Sequence, residues 1–181
     1  MHVITFDIGI KNFAFCYAQV NPDKSISILK WDCVSLVDKD AIVKKKGISE
    51  LTDALLEFLV EAFSDVDFDY VFVENQPATM NGLMKSMSMV VYTFFKMRAM
   101  GQVLFINATN KLKCKKNVTP KVAGKLTYNE RKKLAIRMTR EYLQERAPDR
   151  LEWFNTLKKA DDYSDTFLYI IYVVENEIVS L

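Results

Sequence analysis

Acidic residues stand at points of this chain where they could act together. Asp7 follows the apolar run of residues 3–6, and Glu74 follows the apolar run of residues 70–73. Asp162 and Asp165 are three residues apart, which places them on one face if their segment is helical. Neighbouring strands lie about 4.8 Å apart. If the first and fourth strands pair and the last helix docks on them, these carboxylates form one cluster.

Such a cluster cannot stay fully ionised without cations at neutral pH. Two carboxylates about 4 Å apart repel by roughly 4 kcal/mol at an effective dielectric constant of 20. All-oxygen sites favour hard cations, and the single histidine, His2, excludes an imidazole-rich zinc site. Two such ions about 3.5–4 Å apart can activate a water molecule and stabilise the leaving oxygen of a phosphodiester. The acids therefore predict phosphodiester hydrolysis with two Mg²⁺ or Mn²⁺ ions per site and no small-molecule cofactor.

Each acid also has an ordinary structural interpretation. An aspartate at the end of a strand is more often a turn residue. Asp162 and Asp165 could simply favour a helix N-terminus through the helix dipole. Glu74 is harder to explain in this way, because it closes a strongly apolar strand just before Asn-Gln-Pro. The prediction therefore depends on the whole set in this order, not on any single acid.

Hydrophobic periodicity indicates the elements that must position these acids. Residues 3–6, 13–18 and 25–31 predict three strands of an antiparallel meander, with a turn at Asn21-Pro22-Asp23. Two further strands are predicted over 70–74 and 103–106, and a helix over 48–63. A second helix is capped by Asn81 and runs to about Met100, and a third, over 130–145, is capped by Asn129 and ended by Pro148. The last helix starts at about Lys159 and carries Phe167, Ile170, Ile171, Val174 and Ile178.

This order, β-β-β-α-β-α-β-α-α, is typical of an α/β protein. The later β-α-β units imply parallel strands with right-handed crossovers. We expect a five-stranded mixed sheet, an antiparallel meander followed by parallel strands, flanked by helices and forming a single domain over residues 1–181.

Composition narrows the class of protein. Half of the residues are hydrophobic and 27% are charged, which is ordinary for a soluble globular chain. We expect no secretory signal, because Asp7 interrupts the N-terminal apolar run, and no membrane span, because the longest apolar run near the end, residues 167–174, is too short. Cys16, Cys33 and Cys114 are odd in number and widely spaced, which predicts no disulfide framework and a reducing, intracellular compartment.

Charge is distributed unevenly although the net charge is only +2. Residues 109–140 contain eleven lysines and arginines and one acid, Glu130, whereas residues 50–76 contain eight carboxylates and no basic residue. A basic block of this density indicates a polyanionic partner. A solvated helix face next to a loop is the alternative interpretation.

Three segments in this order resemble the RuvC-type Holliday junction resolvases, and above all their poxvirus branch. They are Asp7-Ile8-Gly9-Ile10-Lys11-Asn12, Val73-Glu74-Asn75-Gln76-Pro77 and Ala160-Asp161-Asp162-Tyr163-Ser164-Asp165. The resemblance implies a ribonuclease H-like fold and a homodimer that cuts opposing strands of four-way DNA junctions with Mg²⁺ or Mn²⁺. In a poxvirus, this activity would process replication concatemers in cytoplasmic replication factories.

The resemblance also implies roles for individual residues. By motif position, Asp7, Glu74, Asp162 and Asp165 are the metal ligands, with Asp161 as the competitor of Asp162. The family places a basic residue near the scissile phosphate, and the candidates here are Lys111, Lys113, Lys132 and Lys133. The candidates for DNA contacts are Lys11, Lys85, Lys113, Lys115, Lys116, Lys121, Lys125 and Arg131. Bacterial members carry an aromatic residue shortly after the second acid, whereas this chain has Pro77-Ala78-Thr79-Met80, so we expect no base stacking there.

The segment 80–100 is rich in methionine and predicts an amphipathic helix that packs on the core or on a second subunit. Two other functions fit parts of the sequence. One is a non-catalytic DNA-binding protein on a ribonuclease H-like frame. The other is an actin-like ATPase fragment, although five glycines and the lack of a P-loop motif supply a phosphate cradle poorly.

Overall fold

A mixed sheet forms the centre of the computed structural model, which describes residues 1–38, 42–43, 46–76, 81–98, 101–114 and 126–179. Over these residues the sheet has five strands in the order β3-β2-β1-β4-β5. The strands are β1 (His2–Asp7), β2 (Phe13–Val20), β3 (Ile26–Val34), β4 (Tyr70–Asn75) and β5 (Gln102–Asn107). The first three are antiparallel, whereas β4 is parallel to both β1 and β5. The predicted fold class is confirmed, and the predicted strand ends differ from the observed ones by at most three residues.

Helices cover both faces of this sheet. They are α1 (Ile48–Phe63), α2 (Gly82–Met97), α3 (Tyr128–Arg146), α4 (Pro148–Asn155) and α5 (Ala160–Glu175), and a 3₁₀ turn (Asn110–Leu112) follows β5. The bounds of α1 agree with the prediction. Helix α4 was not predicted, because Pro148 was interpreted as a residue that follows a helix. Proline is equally suited to the first turn of a helix, where its missing N–H has no partner to lose, and Pro148 begins α4.

Three predicted helix ends need correction. Helix α3 is capped by Thr127, so the predicted cap Asn129 is wrong. The Thr127 hydroxyl accepts from the Glu130 N–H, and the Glu130 carboxylate accepts from the Thr127 N–H at 2.7 Å. Asn81 caps α2 as predicted, but this helix ends at Met97. Helix α5 ends at Glu175, so Ile178 lies beyond it and is 39% exposed.

The alternation of side chains along β1 and β4 divides the core into two layers. Ile4 and Phe6 of β1 pack with the buried residues of α1 and α2, whereas Val3 packs with those of α3 and α5. In β4, Val73 belongs to the first layer and Phe72 to the second. Successive residues of a strand point to opposite faces. Asp7 and Glu74 therefore continue the rows that face the α5 layer.

Two buried hydrogen bonds fix the first half of α5 on the sheet. The Thr5 hydroxyl on β1 donates to the Thr166 carbonyl at 2.7 Å, and the Trp31 indole on β3 donates to the Tyr163 carbonyl at 3.0 Å. The Trp31 ring also stacks on Phe154 of α4, with centroids 5.5 Å apart. Buried polar groups need partners of this kind, so the start of α5 is held above the ends of β1 and β3. None of the described helices is long and apolar enough to cross a bilayer.

Candidate active site

Asp7 and Glu74 lie next to each other at the carboxyl ends of two parallel strands. The register pairs Phe6 with Val73, so Asp7 and Glu74 are the next residues along β1 and β4. Both carboxylates face the α5 layer, and Glu74 is only 7% exposed. Burial and the adjacent charge of Glu74 raise the pKa of Asp7 well above its usual range.

The turn after Asp7 explains the glycine of the first motif. A Cβ atom at Gly9 would lie 2.4 Å from the carbonyl oxygen of Asn12, closer than real contacts allow. The absence of a side chain at position 9 therefore lets the chain turn tightly from β1 into β2. This turn keeps β2 antiparallel to β1 and leaves the Asp7 end of the strand beside β4.

The two acids of α5 complete the acidic cluster, which we define as Asp7, Glu74, Asp162 and Asp165. Burial and the charges of Asp161 and Asp7 raise the pKa of Asp162 to about 6. Burial, together with the charge of Asp7, raises the pKa of Asp165 to about 7. The structure thus brings together the four carboxylates that the sequence singled out, at one end of the sheet.

Lys111 inserts a positive charge into the acidic cluster. It lies in the 3₁₀ turn after β5, and its ammonium group donates a hydrogen bond to Asp165 Oδ2. Burial opposes its charged form, but the charges of Asp165 and Glu74 hold the pKa of Lys111 above its ordinary value. Of the four lysines predicted as candidates at a scissile phosphate, Lys111 is therefore the one buried among the acids.

The other three candidate lysines lie outside the acidic cluster, and Lys113 is exposed and donates to Asn110 Oδ1 at 2.9 Å. Lys132 donates a hydrogen bond to Asp161 Oδ2, and its ammonium is 4.9 Å from the centroid of the Tyr128 ring. Although burial opposes the shift, the hydrogen bond from Lys132 lowers the pKa of Asp161. Lys133 is exposed. Lys132 thus neutralises the residue that precedes Asp162 and does not reach the cluster itself.

The contacts of Asp161 and Asp162 differ, although the sequence left the choice between them as ligands open. Asp161 is paired with Lys132. Asp162 Oδ2 is buried and has no hydrogen-bond partner within the part of the chain that the structure describes. An unpartnered carboxylate oxygen is costly to bury, and a bound cation would remove that cost.

Sequence reasoning missed one residue that contacts the cluster. The hydroxyl of Tyr169 on α5 donates to Glu74 Oε2 at 2.9 Å, and the residue is fully buried. Tyr169 follows Asp165 by four residues and Asp162 by seven, so all three share one face of α5. This spacing was visible in the sequence, but an aromatic residue at helical spacing is ordinarily a core residue.

The predicted DNA contacts form a looser group. Lys11, Lys113 and Arg131 are exposed, and Lys85 is half-buried with its ammonium 3.0 Å from Asn75 Oδ1. The other four, Lys115, Lys116, Lys121 and Lys125, lie outside the described residues, as does the segment 77–80 for which we expected no base stacking.

The donor chemistry of the acidic cluster fits a hard divalent cation. All of its donors are carboxylate oxygens, which Mg²⁺ and Mn²⁺ prefer. The unpartnered oxygen of Asp162 and the raised pKa values of Asp7 and Asp165 indicate negative charge in excess of what Lys111 neutralises. Within the described residues no three acids, cysteines or histidines are already arranged around one point as ligands. Lys111 is bound to Asp165, so this carboxylate would have to share or exchange its partner when an ion binds.

The arrangement favours water over a protein side chain as the nucleophile. Cys33 is half-buried near the cluster, but burial and the charges of Asp162 and Asp7 raise the pKa of its thiol to about 12. Since the thiolate is the reactive form, a pKa raised in this direction makes Cys33 a poor nucleophile at neutral pH. Acids that hold cations can instead activate water for attack on a phosphodiester.

Comparisons with known proteins give a family and a set of similar folds. A family model described as "Poxvirus A22 protein" matches residues 1–176. An uncharacterized protein of Acanthamoeba polyphaga mimivirus is 29% identical over 154 residues, which cover 76% of this chain. The chain spans only 37% of the length of that relative.

Two solved structures are similar over nearly the whole chain. The fowlpox virus resolvase in complex with Holliday junction DNA has a TM-score of 0.68 at 17% identity, covering 99% of this chain and 100% of the other. The yeast mitochondrial Holliday junction resolvase has a TM-score of 0.62 at 18% identity, covering 96% of this chain and 78% of the other. At these identities the likeness establishes the fold.

Proposed function

We propose that this chain, which belongs to the poxvirus A22 protein family, is a metal-dependent endonuclease that cuts four-way DNA junctions. The observation that carries the proposal is the meeting of Asp7 and Glu74 on paired strands beneath Asp162 and Asp165 of α5. The fowlpox virus and yeast proteins with similar folds are Holliday junction resolvases, which supports the choice of a branched substrate.

The residues of the acidic cluster would hold two Mg²⁺ or Mn²⁺ ions. Bound ions of this kind activate a water molecule and stabilise the leaving oxygen of a phosphodiester. Burial of Asp7, Asp162 and Asp165 raises their pKa values, so cation binding and proton release are coupled in this site.

Lys111 is our proposed basic residue at the scissile phosphate. Its ammonium stays charged among the acids, and it lies at the same end of the sheet as Asp7 and Glu74 because β5 is parallel to β4. A charged group held in a buried site can stabilise the negative charge that develops on a phosphoryl oxygen. We propose that Lys132 positions the start of α5 through Asp161, and that the exposed Lys11, Lys113 and Arg131 contact the DNA backbone.

We further propose that the protein acts as a homodimer, because symmetric cleavage of two opposing strands needs two active sites. An apolar groove between α1 and α2 is the candidate interface, on the face of the sheet opposite to α5. It is lined by Thr52, Leu56, Met89, Val90, Thr93, Phe94, Met97 and Arg98. Met97 is 82% exposed and Met89 41% exposed. They line one groove together with other apolar side chains, and grouped apolar side chains on a surface mark candidate interfaces.

The proposed interface is tested by equilibrium sedimentation of three proteins. The wild type should be a dimer at micromolar concentration, and Met89→Glu should shift it to a monomer. Leu29→Glu is the matched control, because Leu29 is 47% exposed but lies on β3, away from the groove. A monomeric wild type, or equal effects of the two variants, would contradict the interface.

The proposed setting is the cytoplasm of the infected cell, where the enzyme would process replication concatemers. Membership of a poxvirus family supports this setting. The three cysteines are free thiols, which fits a reducing compartment.

The activity is tested by cleavage of synthetic four-way, three-way and linear duplex DNA, each with Mg²⁺ and with EDTA. We expect paired, symmetric cuts in the four-way junction only when Mg²⁺ is present. Asp7→Asn should lose cleavage and keep junction binding, because it removes one ligand and no DNA contact. Junction binding without cleavage by the wild type would instead identify a non-catalytic DNA-binding protein, and ATP binding by calorimetry would favour an ATPase.

A further inference from the structure

The hydroxyl of Tyr169 on α5 contacts the acidic cluster. The residue is fully buried in the α5 layer, and its hydroxyl donates to Glu74 Oε2 at 2.9 Å. The ammonium group of Lys111 lies 5.7 Å from the centroid of its ring. One buried side chain thus contacts the acid of β4 with its hydroxyl and faces the cluster's lysine with its ring.

A phenylalanine would fill the same space with less cost of burial. Leu168, Ile170 and Ile171 beside it are fully buried and apolar. A buried hydroxyl is tolerated only with a partner, and the partner here is a carboxylate of the acidic cluster. The hydroxyl therefore has a use that the packing of the layer does not require.

We propose that Tyr169 is a positioning residue that holds Oε2 of Glu74 and so presents its other oxygen, Oε1, to a divalent cation shared with Asp7. This inference rests on the proposed function, because it assigns the orientation of one ligand in that same site. Tyr169 acts through Glu74 and touches neither DNA nor the reacting atoms.

The physical reason lies in the freedom of a carboxylate. The last torsion of a glutamate is broad and weakly restricted. Asp7 lies on the adjacent strand, beside Glu74. With Oε2 held by Tyr169, Glu74 is already oriented when an ion arrives. Without this donor the ion must itself orient the carboxylate. Loss of such an outer hydrogen bond typically lowers metal affinity or activity by about 10–100-fold.

The test compares Tyr169→Phe with Tyr142→Phe. Tyr142 is also buried, and its hydroxyl donates to Glu175 Oε1 at 2.6 Å, at the other end of α5 from the acids. Both variants remove one buried hydroxyl that binds a carboxylate. Titration of the DNA-free protein with Mn²⁺, followed by electron paramagnetic resonance of the free ion, measures metal affinity. Thermal unfolding in EDTA measures the cost to the fold.

We expect Tyr169→Phe to weaken Mn²⁺ binding by about 10–100-fold and Tyr142→Phe to change it by less than about twofold. Junction binding in EDTA should be the same for both variants. Cleavage by Tyr169→Phe should be slow at low Mn²⁺ concentration and recover at high concentration. In a Glu74→Gln background, Tyr169→Phe should have little further effect, because its partner is already altered.

Equal Mn²⁺ affinity of Tyr169→Phe and wild type would overturn the inference, as would an equal loss in Tyr142→Phe. A full additional loss in the Glu74→Gln background would also overturn it, because Tyr169 would then act independently of Glu74. These failures are distinct from failure of the proposed function, in which the wild type itself neither binds Mn²⁺ nor cuts the junction.

Discussion

Asp162→Asn should stabilise the metal-free protein and abolish cleavage. Burial and the charges of Asp161 and Asp7 raise the pKa of Asp162 from 3.8 to about 6. A shift of about 2 units corresponds to about 3 kcal/mol at roughly 1.4 kcal/mol per unit. Because the side chain is partly exposed, solvent screening reduces this to about 1–2 kcal/mol. Asparagine removes the charge and keeps the shape, so we expect the metal-free variant to unfold about 3–6 °C above the wild type at pH 8.

The pH dependence of this difference follows from the direction of the shift. The folded state holds the proton of Asp162 more tightly than the unfolded state does. The penalty for ionising Asp162 is therefore complete above about pH 6 and disappears as the pH falls toward 3.8. Thermal unfolding in EDTA at pH 8 and at pH 4 should show the advantage of Asp162→Asn only at pH 8.

Asp161→Asn is the matched control one residue away. Burial opposes the shift, but the hydrogen bond from Lys132 lowers the pKa of Asp161, so its charge is stabilising. Its removal should lower stability by less than about 1 kcal/mol, since the pair is partly exposed. It should also leave Mg²⁺-dependent cleavage largely intact.

Saturating Mg²⁺ should reverse the order of stability. A ligand at 100 times its Kd stabilises the folded state by about 2.7 kcal/mol, and Asp162→Asn loses most of this gain. The reasoning is refuted if Asp162→Asn is less stable than the wild type in EDTA at pH 8. It is also refuted if the two adjacent variants shift stability in the same direction.

Lys111→Met should lower the melting temperature of the metal-free protein in EDTA, because the acids lose the positive charge that balances them. It should also slow single-turnover cleavage by about 100–1000-fold. Cleavage at the wild-type rate would show that Lys111 has no role in the reaction. Asp7→Asn should abolish the rise in melting temperature that Mg²⁺ produces in the wild type, and an undiminished rise in a fluorescence-based melt would place the ions elsewhere. Junction affinity should fall with salt by about 0.9 log units per log unit for each phosphate contact, so replacing Lys115, Lys116 and Lys121 with glutamine should flatten the slope by about 2–3 units in a filter-binding series. An unchanged slope would move the DNA surface to another part of the chain.

The elements of this protein could be predicted closely from its sequence. Strand alternation and helical spacing depend on residues a few positions apart, so the strands and α1 were found with nearly their observed bounds. The misplaced cap at Asn129 and the missed helix α4 arose where two local signals compete. Thr127 and Asn129 are both good caps, and Pro148 can either follow a helix or begin one.

The acidic residues were also visible in the sequence, because an acid that closes an apolar strand is conspicuous. The clustering of these acids was conditional on β1 pairing with β4, and the structure shows that pairing. The family expected from the three acidic segments is confirmed as well.

The sequence by itself thus determined the strands, most of the helices and the identity of the acids, since each of these is encoded among near neighbours. Only the tertiary structure decided which lysine pairs with which acid, and which carboxylate oxygens are left without a hydrogen-bond partner. Lys111 and Lys132 are equivalent in a charge count, but β5 and its following turn bury one beside Asp165, while α3 directs the other to Asp161. The role of Tyr169 likewise arises from the docking of α5 on β4. Burial and hydrogen bonding depend on surfaces that are far apart along the chain and come together only on folding.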